Sequence, residues 1–214
     1  MAFLAGIYLV ADTGLVPDAK ALLRITEQAV AGGVSAVQVR AKGWAERDLA
    51  QLCRAALQIT EPAGVPLIVN DSVATALTIG AQGVHLGQSD MPYAEARTLL
   101  GPKALIGISL EHLGQIQQAS APGLDYVAAS PVFATPTKAD TAPALGLDGL
   151  RHMVKLAGVP VVAIGGIQLS NAQAVAEAGA HALAVVSAIC LAPDPRAATE
   201  ALCQAFELGR QKSL

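Results

Sequence analysis

The stretch PVVAIGGI, Pro160 to Ile167, carries no polar side chain on either side of an extended backbone. Successive strand residues point to opposite faces. A run without a polar face must therefore be covered on both, which is the condition of a parallel sheet with helices packed over it. The residues that follow agree. Asn171–Ala178 is Ala-rich with helical spacing, Gly179 stands where a helix would end, and ALAVVSAI (182–189) is a second apolar run. Strand, helix and strand in that order make a βαβ unit.

The same pairing recurs along the chain. GIYLVAD (6–12), AVQVRAK (36–42), PLIVND (66–71), GVHLG (83–87), ALIGIS (104–109) and YVAASPVF (126–133) each lead into a helical stretch, examples being Asp18–Ala31, Glu46–Ile59, Tyr93–Leu100 and Leu147–Leu156. Pro195–Leu208 follows the last run, and Gly32-Gly33, Gly64, Gly80, Gly101 and Gly158 sit at further helix ends. Eight such units predict an α/β protein, a single (β/α)8 TIM barrel with residues 1–214 as one domain. That length is short for the fold, which typically takes about 250 residues. A doubly wound open sheet is the alternative arrangement of the same units.

Composition narrows the function. The chain is 53% hydrophobic, 14% charged and 3% aromatic with a net charge of −3, which excludes a disordered segment and gives no basic footprint for nucleic acid. Cys53, Cys190 and Cys203 form an odd set without a C-x-x-C pair, so buried inert thiols are expected rather than a disulfide framework or zinc site. MAFLAGIYLVADTG is apolar, but no basic residue precedes Lys20 and the run is too short to span a bilayer. It reads as the first strand, in a cytoplasmic protein with no membrane partner. No feature of the sequence speaks to oligomeric state.

Against these apolar runs, VQVRAKG (37–43) stands out because it alternates. Val37, Val39 and Ala41 suit the helix layer, which turns Gln38, Arg40 and Lys42 inward, rising toward the C-terminal mouth. An unpaired buried cation costs several kcal/mol. A structural ion pair, such as Arg40 with Asp12 or Asp71, would satisfy the need. An anionic ligand at the mouth, where barrel active sites lie, would do so too.

Other strand ends add chemistry. Asn70 and Asp71 close the third run; His85, Gln88 and Asp90 lie in GVHLGQSDMP (83–92). Two aspartates at neighbouring strand ends can share a hard cation, and magnesium accepts one or two carboxylates with water and phosphate oxygens. Each could instead cap a helix, Asp71 before SVATAL and Asp90 before MPYAEA. His85 fits a satisfied core histidine as well as a base. Ser109 ends the fifth run. The longest non-helical connection, SPVFATPTKADTAPALGLDG (130–149), gathers Thr135, Thr137, Lys138 and Asp140, a plausible clamp for an anion. Gly165-Gly166 and Ser187 close the last two units, where barrel phosphate sites commonly form through backbone N–H groups.

Taken together, QVRAK, VND, GVHLGQSDMP, a Ser after strand five, PVFATPTKAD, AIGGI and VVSAI resemble the thiamine phosphate synthase family over nearly the whole chain. The resemblance implies a transferase that joins 4-amino-2-methyl-5-hydroxymethylpyrimidine diphosphate to a thiazole phosphate and releases diphosphate. By that analogy Gln38, Arg40, Lys42 and Asn70 hold the pyrimidine diphosphate, with Ser109 and Lys138 on the leaving group. Val39, Ala41 and Pro136 fall within the implied substrate-binding runs. Asp71 and Asp90 would hold Mg2+, while Thr135, Thr137, Gly166, Val186 and Ser187 would take the thiazole phosphate. Arg40, Lys42, Ser109 and Lys138 carry the implied catalytic roles. One departure is visible. Family members often read Ser-x-His after strand five, whereas SLEHLGQ (109–115) puts Glu111 there and His112 one position later. A related thiazole tautomerase, which uses a histidine in that segment, is the alternative reading.

Overall fold

A computed structural model describes residues 5–120, 122–135 and 143–213. Eight strands close on themselves in sequence order: β1 Gly6–Asp12, β2 Ala36–Arg40, β3 Leu67–Asn70, β4 Gly83–Leu86, β5 Leu105–Leu110, β6 Tyr126–Ala129, β7 Val161–Ile164 and β8 Ala182–Val185. Every neighbouring pair, β8 with β1 included, is parallel. The helices are α1 Ala19–Ala31, α2 Glu46–Thr60, α3 Val73–Ile79, α4 Tyr93–Leu100, α5 Gly146–Leu156, α6 Leu169–Glu177, α7 Ser187–Cys190 and α8 Pro195–Lys212. The closed ring replaces the open-sheet alternative. The pairing of β8 with β1 leaves no open edge with unpaired backbone groups.

Alternation along each strand builds two cores. Ile7, Leu9, Val37, Val39, Leu67, Val69, Val161 and Ala163 face the helices. Tyr8, Val10, Ala36, Ile68, Tyr126, Ala128, Val162, Ala182 and Ala184 fill the lumen. Tyr8 and Tyr126 are the largest pieces of lumen packing, and the Tyr126 ring occupies the space over Gly107 on β5. A Cβ at Gly107 would lie 2.0 Å from the ring's Cζ.

Two predicted elements differ. The link after β5 is a 3-10 stretch, Leu113–Ser120, rather than an α-helix, and the short α7 precedes α8. LGQIQQAS is short, with Gly and few strong apolar anchors, and buries only Ala119. Helix α6 starts two residues earlier than its apolar spacing suggests, because Gln168 and Asn171 form a reciprocal capping box. Among the described residues no helix is long and apolar enough to cross a membrane. Cys53 and Cys190 are buried free thiols, and Cys203 is half-buried and free.

Candidate active site

The C-terminal ends of the strands surround a cavity of about 580 Å³ that runs from the mouth into the lumen. Its apolar lower wall is Val10, Ala128, Val162, Ile164 and Ala184; its polar rim collects residues from every strand end. Side chains this small or β-branched leave room that larger ones would fill.

The alternating face of β2 climbs this wall. Gln38 is buried and donates from Nε2 to the Tyr8 hydroxyl at 2.8 Å. One step up, Arg40 Nη1 donates to Asp12 Oδ2 at 2.6 Å, so the ion pair expected as one alternative is present. Arg40 still lines the cavity, so pairing and facing a ligand coexist. Lys42 lies past the end of the strand, 58% exposed, with Nζ 3.8 Å from Asp71 Oδ2. Val39 and Ala41 point into the helix-side core and do not line the cavity. The pleat that turns Gln38 and Arg40 inward turns these two outward, so as substrate contacts they offer only backbone. Trp44 also packs against that outer core.

Neither aspartate caps a helix. Ser72 is the N-cap of α3, accepting from Thr75 N, and Pro92 precedes α4. Asp71 instead holds a left-handed backbone, φ 63°, fastened by its N–H to His85 O at 2.8 Å. Short polar residues tolerate this region best. The strained turn faces its carboxylate to the cavity, beside Asp90, whose Oδ2 accepts from Gly87 N at 2.6 Å. Burial raises the Asp71 carboxyl to about 6, helped by a hydrogen bond and repulsion from Asp90 and opposed by Lys42 and Arg40. Two carboxylates near enough to share a proton are also near enough to share a cation.

Reasoning from sequence missed what anchors this turn. Glu46, in the first turn of α2, accepts from Ser72 Oγ at 3.0 Å and from Thr75 Oγ1 at 2.5 Å, tying α2 to the start of α3. It missed Tyr8 and Tyr126 as well. Their hydroxyls meet at 3.1 Å, and His85 Nδ1 lies 3.0 Å from the Tyr126 hydroxyl. His85 Nε2 is 2.9 Å from Ser109 Oγ. Burial pushes the His85 imidazole down to about 4, so it is neutral at physiological pH, a satisfied core histidine. Two tyrosines inside otherwise aliphatic strands were the available signal, but only closure of the barrel shows that they meet.

Across the mouth, Asn70, Ser109, Glu111, Thr135, Gly166, Val186 and Ser187 line the same cavity, while His112 is exposed outside it. Gly165 and Gly166 have φ of 101° and 64°, and Cβ atoms there would lie 2.5 Å from Pro131 Cβ and 2.7 Å from Phe133 Cβ. The glycine pair thus lets the loop after β6 sit on the loop after β7, a role beyond the phosphate binding expected of it. Gln168 Nε2 donates to Ser187 Oγ at 3.2 Å, another contact not foreseen. Pro136, Thr137, Lys138 and Asp140 lie outside the described residues.

Residues 7–189 match the family model for thiamine monophosphate synthase. The chain is 46% identical over 201 residues to the thiamine-phosphate synthase of Albidiferax ferrireducens, covering 94% of this chain and 91% of the relative. It is 47% identical over 205 residues to that of Leptospira biflexa, with coverages of 94% and 97%. Among solved structures, the thiamine phosphate pyrophosphorylase of Pyrococcus furiosus superposes with a TM-score of 0.87 at 35% identity, covering 97% of this chain and 98% of that one. An orotidine 5'-phosphate decarboxylase from Pyrococcus horikoshii, 18% identical with a TM-score of 0.70, shares the fold alone. With a matching family model over most of the barrel and relatives near half identical over nearly the full length, this chain belongs to the thiamine monophosphate synthase family.

Proposed function

We propose that the chain is a transferase that condenses 4-amino-2-methyl-5-hydroxymethylpyrimidine diphosphate with 4-methyl-5-(2-phosphoethyl)thiazole, giving thiamine phosphate and diphosphate. The observation that carries this reading is the division of one cavity between two anion-friendly ends. One end holds Arg40 and Lys42 beside Asp71 and Asp90; the other is the glycine turn at Gly165-Gly166 with Ser187. A diphosphate suits the first and a monophosphate the second, with the apolar lower wall left for the rings.

The donor set at Asp71 and Asp90 fits magnesium. Among the described residues no group of three or more His, Cys, Asp or Glu side chains could hold a metal. A cation here would be held by two carboxylates, with substrate oxygens and water filling its other positions, which is how magnesium is commonly bound. Bound there, Mg2+ supplies positive charge to the oxygens of the departing diphosphate.

The chain's own residues do the rest. Arg40 and Lys42 place fixed cations where negative charge grows as the methylene C–O bond breaks, a charge that Lys138 would share by the family resemblance. Gln38 and Asn70 orient the pyrimidine diphosphate, and Ser109 donates a hydrogen bond to the leaving oxygen. The electron pair of the broken bond leaves with diphosphate. The thiazole nitrogen then donates its lone pair to the methylene carbon, forming the C–N bond without a proton transfer. Thr135, Thr137, Gly166, Val186 and Ser187 hold the thiazole phosphate on the attacking side. Val10, Ala128, Val162 and Ala184 keep water from the electron-poor carbon.

Purified protein incubated with both substrates should give thiamine phosphate and diphosphate in a magnesium-dependent manner. Folded protein that yields no thiamine phosphate with Mg2+ present would refute the proposal and turn attention to isomerisation of thiazole carboxylates.

A further inference from the structure

Beneath the polar rim, five side chains from five strands form one continuous line of hydrogen bonds through the lumen. It runs from Gln38 Nε2 to the Tyr8 hydroxyl (2.8 Å), then to the Tyr126 hydroxyl (3.1 Å). It continues to His85 Nδ1 (3.0 Å), and from His85 Nε2 to Ser109 Oγ (2.9 Å). All but Ser109 are buried, and no buried side-chain nitrogen or oxygen among the described residues lacks a partner.

The line has a direction. An amide nitrogen can only donate, so Tyr8 accepts from Gln38, and Tyr126 is then the acceptor left for the Tyr8 proton among the described residues. With Tyr126 accepting from Tyr8, its own proton is free for His85 Nδ1, and that arrangement requires the imidazole proton on Nε2, directed at Ser109. Burial raises both phenols, so each keeps its proton. With its lone pair engaged by His85, the Ser109 hydroxyl has no acceptor among the described residues and keeps its proton for the cavity. Bonds in such a chain polarise one another, strengthening the last donor.

We propose that Gln38, Tyr8, Tyr126 and His85 form a directional relay that holds the Ser109 hydroxyl as a donor toward the departing diphosphate. This rests on the synthase reading for the identity of the anion, but not for the direction of the relay. Tyr8, Tyr126 and His85 are then positioning residues rather than catalytic ones.

The direction is read from the His85 tautomer by nitrogen-15 NMR on histidine-labelled protein without substrate. Replacing His112, His152 and His181 in turn assigns the signals. The expected result is the Nε2–H tautomer in the wild type. Gln38→Glu exchanges the donor for a group that, ionised at pH 8, only accepts. Every bond should then reverse, and His85 should switch to Nδ1–H. Tyr126→Phe should lower kcat about ten-fold with little change in KM, the scale of one hydrogen bond felt in the transition state. A wild-type Nδ1–H tautomer overturns the relay and needs no variant to fold. An unchanged tautomer in Gln38→Glu, or full kcat in Tyr126→Phe, overturns it too. Absence of synthase turnover in the wild type would sink the functional reading instead, while the substrate-free tautomer stands by itself.

Discussion

Gly107→Ala tests the lumen packing most directly. A Cβ at this position would lie 2.0 Å from Tyr126 Cζ and 2.4 Å from both Cε atoms. Real Cβ contacts do not come that close, so the ring must move. It has nowhere to go, because Tyr126 is fully buried with its hydroxyl between Tyr8 and His85. Overpacking a tight core costs about 1–3 kcal/mol. Displacing the Tyr126 hydroxyl adds about 1 kcal/mol for each of its two hydrogen bonds. The expected loss is roughly 3–5 kcal/mol, a fall in Tm on the order of 10 °C for a chain of this size. Urea unfolding would measure it, with an unchanged m value reporting an intact two-state transition. Tyr126→Leu in the same chain should recover part of the loss, giving a positive coupling in a double-mutant cycle. A loss below about 1 kcal/mol, or no recovery, would refute the reasoning.

Asp71→Asn probes the carboxylate pair, and asparagine suits the left-handed backbone there as well as aspartate does. The folded protein holds the Asp71 proton more tightly than the unfolded chain, with a pKa raised from 3.8 to about 6. Wild-type stability in chelator should therefore fall, relative to the variant, as pH rises from about 4 to 6. The full shift corresponds to a ceiling of about 3 kcal/mol. With the side chain 30% exposed, solvent screening reduces that to about 1 kcal/mol. Thermal melts in EDTA at pH 8 should show the variant more stable, and a less stable variant there would disprove the repulsion. Added Mg2+ should raise the melting temperature of the wild type and not of Asp71→Asn. Glu46→Ala should loosen the turn that carries Asn70 and Asp71, raising the Mg2+ concentration needed for half-maximal turnover by up to about ten-fold. An unchanged magnesium titration would show that Ser72 and Thr75 hold the turn without Glu46.

The alternation of apolar runs with helical stretches determined the parallel sheet covered by helices, because periodicity reports which faces of an element are covered. PVVAIGGI needs helices on both sides and eight such units suit a barrel, but the pairing of β8 with β1 decides for closure over an open sheet. The same periodicity put Gln38 and Arg40 on the inner face and Val39 on the outer one. Turn chemistry was less legible. Asp71 and Ser72 are both good caps, and the hydrogen bond from Thr75 N to Ser72 decides between them. Arg40 had two candidate aspartates, and the β1–β2 register, Asp12 opposite Arg40, selects Asp12. Farther apart still, Tyr8 and Tyr126 are separated by 118 positions and touch because both side chains fill the same lumen. Period and composition describe each strand's own surroundings. Which side chains meet inside the ring depends on how many strands close it and at what stagger, and that is settled only in three dimensions.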